Sequence, residues 1–256
     1  GAIAQVVAGP LGFLFLPEVG EVSDQNGTLA TPAGYAFAIW GPIFLLLAVY
    51  AVYQALPAQR ENRLLRRIGW WIAAACLGNA LWTVVFPQRQ FVLAQVIIVA
   101  IFACLAVAFG LLARETRARD LSGAERWLVA LPLGLLFGWL SAATLAGFAV
   151  TLRAIDLLPR GTGEVIFAAA LIFLCGGVAS LVLLRGAVVP AQGLLAYATA
   201  VVWALIAIVA AGGAASTPIA VVAVAMIVAV IVAALGALFG GGAARGVRRQ
   251  TAIGAA

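Results

Sequence analysis

Long apolar runs alternate with short polar breaks along the whole chain. The runs cover about 3–16, 35–56, 68–86, 91–112, 127–150, 164–184, 192–211 and 217–239. Most are long enough, at about 1.5 Å per residue, to cross ~30 Å of hydrocarbon as helices. The in/out alternation of a barrel strand is absent. The pattern predicts an all-α, polytopic integral membrane protein with about eight transmembrane helices. The first run is short and is interrupted by Gly9 and Pro10, the proline lacking a backbone donor. No basic stretch precedes it and no small-x-small site follows it, which argues against a cleaved signal peptide.

Composition agrees with this reading. Hydrophobic residues make up 65% of the chain and charged residues 9%, with a mean hydropathy of +1.15, so polar groups are too few to cover a soluble surface. The breaks carry a topology signal. All 15 basic residues are arginine. Arg60, Arg63, Arg66, Arg67, Arg114, Arg117, Arg119, Arg126, Arg185, Arg245, Arg248 and Arg249 fall in the even-numbered connections and the tail, against Arg89, Arg153 and Arg160 in the odd-numbered ones. By the positive-inside rule both termini are cytoplasmic, and loop 17–34, with Glu18, Glu21 and Asp24 and no arginine, faces outward. These arginines flank spans and form no single basic face, so the net charge of +6 does not indicate a nucleic-acid partner.

Reactive side chains are scarce. Histidine is absent, which removes imidazole chemistry and the usual zinc sites. Cys76, Cys104 and Cys175 each sit within an apolar run and read as small hydrophobes. No metal site and no catalytic group is predicted. Ionisable residues stay at span ends, which argues against coupling to protons or sodium. The polar residues at depth are Asn79, Thr83, Gln95, Ser141, Thr144, Ser180 and Thr199, each of which has a helix-to-helix or back-bonded hydrogen bond as its simplest role.

Tryptophan is the informative residue. Trp70, Trp71 and Trp127 follow arginines and fit an interfacial belt. Trp40, Trp82 and Trp139 lie deeper, as does Trp203, which has no motif around it. Phe37, Trp40 and Phe44 are spaced i, i+3, i+7, and Asn79, Trp82 and Phe86 repeat that spacing, so each set forms one helical stripe. Depth places both stripes, with Trp139 and Thr144, in the middle or outer half of the bundle beneath the acidic loop. On the fifth run, Gly134 with Gly138 and Ala143 with Gly147 offer small surfaces for close packing or for a flat ligand. Three helix faces converging under one loop predict a pocket. Pro32 and Gly34 shape its entrance, and Tyr35, Phe37, Trp40 and Phe44 furnish aromatic surface inside it. Pro42 is expected to kink the second run near Trp40.

These residues fall in three motifs, "TPAGYAFAIWGPIF" at 31–44, "GNALWTVVF" at 78–86 and "GWLSAATLAG" at 138–147. Together they resemble the TspO/MBR family of tryptophan-rich sensory or translocator proteins, and most of all its longer branch, with a "GEVSD" loop, here 20–24, before the second run. The resemblance covers about residues 1–152 and implies a five-helix bundle with a pocket beneath the first loop. It divides the chain into that bundle, 1–152, and a segment 153–256 of three additional transmembrane helices and a basic cytoplasmic tail. The family binds porphyrins and, in some members, sterols, and some bacterial members promote light-dependent porphyrin breakdown. By position, Trp40, Asn79, Trp82, Phe86, Trp139 and Ala143 match its motifs. Two positions depart from the pattern: Gly147 stands where the fifth-helix motif ends in asparagine, and "IF" follows Trp40 in place of "LY".

The resulting expectation is a binding or sensing protein of the bacterial cytoplasmic membrane. Its ligand is a porphyrin or another planar hydrophobic small molecule, stacked on tryptophan and oriented by Asn79 or Thr144, and no cofactor is required. The candidate ligand-binding set is Tyr35, Phe37, Trp40, Phe44, Asn79, Trp82, Phe86, Trp139, Ala143 and Thr144. Other readings are an uncoupled exporter of hydrophobic molecules, a light-dependent porphyrin oxidase working through tryptophan radicals, and a subunit of a membrane complex. The expected partners are membrane lipids and a second copy or a larger membrane assembly.

Overall fold

The computed structural model describes residues 19–253, with side chains for 19–240. The first apolar run, 3–16, lies outside the described residues. Among those described there are 7 helices long and apolar enough to span a membrane, and no strand. We number them α1 (Gly34–Ala55), α2 (Arg63–Val85), α3 (Phe91–Ala118), α4 (Gly123–Ala154), α5 (Thr162–Arg185), α6 (Ala191–Gly213) and α7 (Thr217–Gly240). They coincide with the second to eighth apolar runs to within a few residues, except at the arginine-rich ends, where α2, α3 and α4 begin earlier or run on further.

Local chemistry sets the helix ends. The Asn62 side chain accepts from the amides of Leu64 and Leu65 and so caps α2. Ser122 and Glu125 form a reciprocal capping box at the start of α4. Gly161, at φ 59°, turns the chain into α5 in a backbone region that side chains disfavour. Gly34 opens α1 where the Asp24 carboxylate lies 2.6 Å from the place a β-carbon would take.

Three helices change their winding. Residues Gly34–Ile39 are a 3-10 helix, and α-helical winding begins at Trp40. The kink expected at Pro42 is thus realised as a change of winding, with Pro42 in the first α-helical turn, where a missing amide proton is tolerated. In α4, Pro132 cannot donate to the carbonyl four residues back, and the helix widens to π over Arg126–Ala130 just before it. α6 ends in a π segment, Val209–Gly213.

α4 is the central helix and contacts α1, α3, α5 and α6. Its tightest partner is α6, because a β-carbon on Gly134 would run into the Gly193 carbonyl and one on Gly138 into the Tyr197 carbonyl. Small residues bring these two backbones together, as they do wherever membrane helices pack closely. The Gly134/Gly138 pair therefore serves helix packing and leaves no room for a ligand. α2 packs on α3, and α5 on α7 with Gly176 against Met226. Contacts run freely across residue 152, and one core cluster includes residues from all seven helices.

At the arginine-rich end, polar groups from three helices meet. Arg119 binds Glu115 at 2.9 Å and Glu125 at 2.6 Å, Arg67 reaches Glu115 at 3.3 Å, and Asn62 donates to Glu125 at 3.1 Å. Both carboxylates are buried. Their hydrogen bonds, that to Glu125 first, raise the Arg119 guanidinium above its ordinary value.

Candidate functional site: an aromatic pocket under the first loop

At the opposite end, α1, α2, α3, α4 and α6 surround a narrow pocket with a cavity volume of about 50 Å³. That is below the ~300–1,000 Å³ typical of sites that hold a drug-sized molecule, so a planar ligand would have to spread the walls to enter. Segment 23–32 forms its roof through Ser23, Thr31 and Pro32. A turn holds the roof in shape: the Thr28 amide donates to Thr31 Oγ1 at 2.9 Å, and the two threonine hydroxyls lie 3.1 Å apart. Arg153 secures this segment by donating to the Gly27 carbonyl while it pairs with Glu164 at 2.9 Å. Arg89 donates to Gln25 at 2.6 Å.

The walls are aromatic. Phe37 and Trp40 come from α1, Trp82 and Phe86 from α2, and Trp139 from α4. Trp139 meets Trp40 edge-on at 6.3 Å between ring centroids and Phe37 at 6.0 Å. Trp82 and Phe86 stack at 4.7 Å, with planes inclined by only 21°. Each such pair contributes ~0.5–1.5 kcal/mol beyond the area it buries, which makes the walls stiff. Ala142, Ala143, Ala146 and Gly147 keep the α4 wall low.

Two residues that line this apolar space carry polar groups without a hydrogen-bond partner among the described residues. Trp40 is 2% exposed, and its Nε1 has no hydrogen-bond partner among the described residues. Asn79 is buried on the same pocket, and its carboxamide has no partner among the described residues. A buried donor left unpaired costs about 1–3 kcal/mol, so the pair marks a place where an incoming acceptor is favoured.

Seven of the ten residues singled out from the sequence line the pocket: Phe37, Trp40, Asn79, Trp82, Phe86, Trp139 and Ala143. The structure places the other three elsewhere. Phe44 stacks behind Trp40 at 5.1 Å, because i, i+4 neighbours on α1 lie one above the other. Tyr35 points outward, 49% exposed, with its ring edge-on to Trp203. Thr144 bonds back to the Leu140 carbonyl at 2.7 Å, so its hydroxyl is spent within its own helix. Thr83 and Ser141 are likewise back-bonded.

The contribution from α6 was barely legible in the sequence. Ala204 and Ile208 line the pocket, Trp203 Nε1 donates to the Ala36 carbonyl at 3.0 Å, and the Ala33 amide donates to the Ala207 carbonyl at 3.1 Å. Ala204 and Ile208 carry no distinctive chemistry. Trp203 was the only available signal, as a deep tryptophan without a motif.

A family profile described as TSPO-like protein matches residues 2–237 of the chain. The match reaches well into α7, so the last three helices, expected to fall outside the resemblance, are covered by it almost to their end. No curated protein and no solved structure matches the chain.

Proposed function

The chain belongs to the TSPO-like family, and from that premise we propose that it binds a tetrapyrrole such as protoporphyrin, or a similar planar lipophile, in the pocket beneath segment 23–32. As an integral membrane protein of a sensing and binding family, it recognises its ligand within the bilayer. The arginine distribution supports an outer-half position for the pocket and cytoplasmic termini, and the reading takes the membrane to be a bacterial cytoplasmic one.

The observation that carries this reading is Trp40 Nε1, a buried donor with no partner among the described residues, which shares an aromatic-walled pocket with the Asn79 carboxamide. Aromatic surface favours a flat apolar body, and the two polar groups favour a ligand that presents an acceptor at its edge. Protoporphyrin combines a flat ring with carboxylate acceptors.

The test is titration of the detergent-solubilised protein with protoporphyrin, followed by tryptophan fluorescence quenching and repeated with Trp40→Ala and Trp82→Ala. Saturable quenching that both substitutions weaken supports the pocket. Non-saturating quenching, or quenching insensitive to both, refutes the porphyrin reading. Flux of the pigment across vesicles containing the protein would make it a carrier instead.

A further inference from the structure

The pocket's walls are not equally secured. The α4–α6 wall is locked by backbone contact at Gly134 and Gly138. The roof is tied by the arginine bonds from Arg153 and Arg89, and bonds with a charged partner are roughly twice as strong as neutral ones. Between α1 and α6 the pocket is closed differently, by neutral hydrogen bonds from Trp203 to Ala36 and from Ala33 to Ala207. On the α1 side both fall at the 3-10 helix Gly34–Ile39, at Ala36 within it and at its cap Ala33; on the α6 side both start from regular α-helix, with Ala207 two residues before the π segment Val209–Gly213. Such segments keep poorer hydrogen-bond geometry than an α-helix and often mark hinges.

Trp203 also stands between two spaces. Its neighbour Ala204 lines the pocket, while Trp203 itself lines an apolar groove on the outer surface between α6 and α7, beside Val202, Ile206 and Ile231. The half-exposed Tyr35 covers the indole edge-on at 5.6 Å. A lipophilic ligand dissolved in the bilayer meets the protein at this outer, membrane-facing side, whereas the roof is hydrophilic and clamped.

We propose that Trp203 is a latch on the α1–α6 seam, and that the pocket exchanges its ligand sideways with the bilayer when the indole releases Ala36. The proposal rests on the pocket reading above. Trp203 acts through the position of Ala36 and its neighbour Phe37, and touches no bound ligand itself. Release of the indole breaks one neutral hydrogen bond and one edge-on ring contact and leaves the Ala33–Ala207 bond as the last neutral tie on the seam, while the α4–α6 packing stays in place.

The test is stopped-flow mixing of protoporphyrin with the full chain in phosphatidylcholine nanodiscs, comparing wild type with Trp203→Phe and Trp203→Ala. A latch raises association and dissociation rates together, about threefold or more for loss of a hydrogen bond in a bilayer, with the Kd nearly unchanged. Rates unchanged in both variants, or a rise in dissociation alone with a matching loss of affinity, would overturn it. Hydrogen exchange of the 33–37 amides, measured without ligand, gives an independent readout: Trp203→Phe speeds it if the latch exists, and unchanged exchange counts against it. Failure of the wild type to bind protoporphyrin would refute the pocket reading alone, and the exchange result would still decide the latch.

Discussion

The side chain of Gln95 on α3 occupies the space that Gly147 leaves open on α4. Its Oε1 lies 2.7 Å from where a β-carbon of Gly147 would sit, and its Nε2 donates to the Thr144 carbonyl at 3.0 Å. A carboxamide from a neighbouring helix thus stands beside the position where the family motif carries asparagine. Gly147→Ala should push the amide away and cost roughly 1 kcal/mol, the worth of one such bond. Because the obstacle is the end of a flexible side chain, the double variant with Gln95→Ala should lose less than the sum of the single losses. Unfolding in mixed detergent micelles measures each term, and strict additivity would disprove the contact.

Trp40 holds a donor that has no partner among the described residues. Trp40→Phe retains a ring at that position and removes the N–H, so it should cost little of the free protein's stability. Affinity for protoporphyrin should fall about tenfold, or ~1.4 kcal/mol. Equal affinity in the two proteins would show that the indole N–H does not serve the ligand.

Gly138 and Gly110 offer a contrast on membrane helices. A β-carbon at Gly138 collides with the Tyr197 carbonyl, whereas one at Gly110 meets nothing within 4 Å. Gly138→Val should therefore cost at least about 2 kcal/mol by separating α4 from α6, and Gly110→Ala should stabilise α3 by up to ~1 kcal/mol. Thermal unfolding of both variants in one detergent would reveal the ordering, and a tolerated Gly138→Val would contradict the packing described here.

Arg119 neutralises two buried carboxylates at the end of the bundle away from the pocket. Arg119→Ala removes the cation shared by Glu115 and Glu125 and leaves them the contacts from Arg67 and Asn62, a change expected to cost about 3 kcal/mol. Lysine should restore only part, because a point charge cannot serve both acids as the guanidinium fork does. The exposed pair Arg66–Glu61, at 3.5 Å, serves as control, and Arg66→Ala should change stability by less than ~1 kcal/mol. Similar melting shifts at the two sites would refute the distinction.

Much of the site was legible in the sequence because helices translate spacing into facing. The i, i+3, i+7 patterns brought Phe37 and Trp40 to one wall, and Asn79, Trp82 and Phe86 to another, and the loop above them located the roof. The same periodicity overreached at Phe44, where the stripe continues behind Trp40 instead of along the pocket. It also could not tell a free hydroxyl from a back-bonded one, which is why Thr144 was read as a ligand contact. α6 was illegible for another reason. Ala204 and Ile208 belong to the pocket only because Gly134 and Gly138 draw α6 against α4, and that pairing depends on backbone contact that no spacing in α6 announces.

The bond between Trp203 and Ala36 joins residues 167 positions apart. At about 5–20 residues per second, a ribosome needs roughly ten to thirty seconds to pass from one to the other. By the last part of that interval α1 to α4 have all been made, while the side of the aromatic wall that α6 closes is still open. Biogenesis of the pocket is thus a late event that waits for the sixth helix. A chaperone, or a pigment molecule arriving early, would meet a half-built site with a different shape from the finished one.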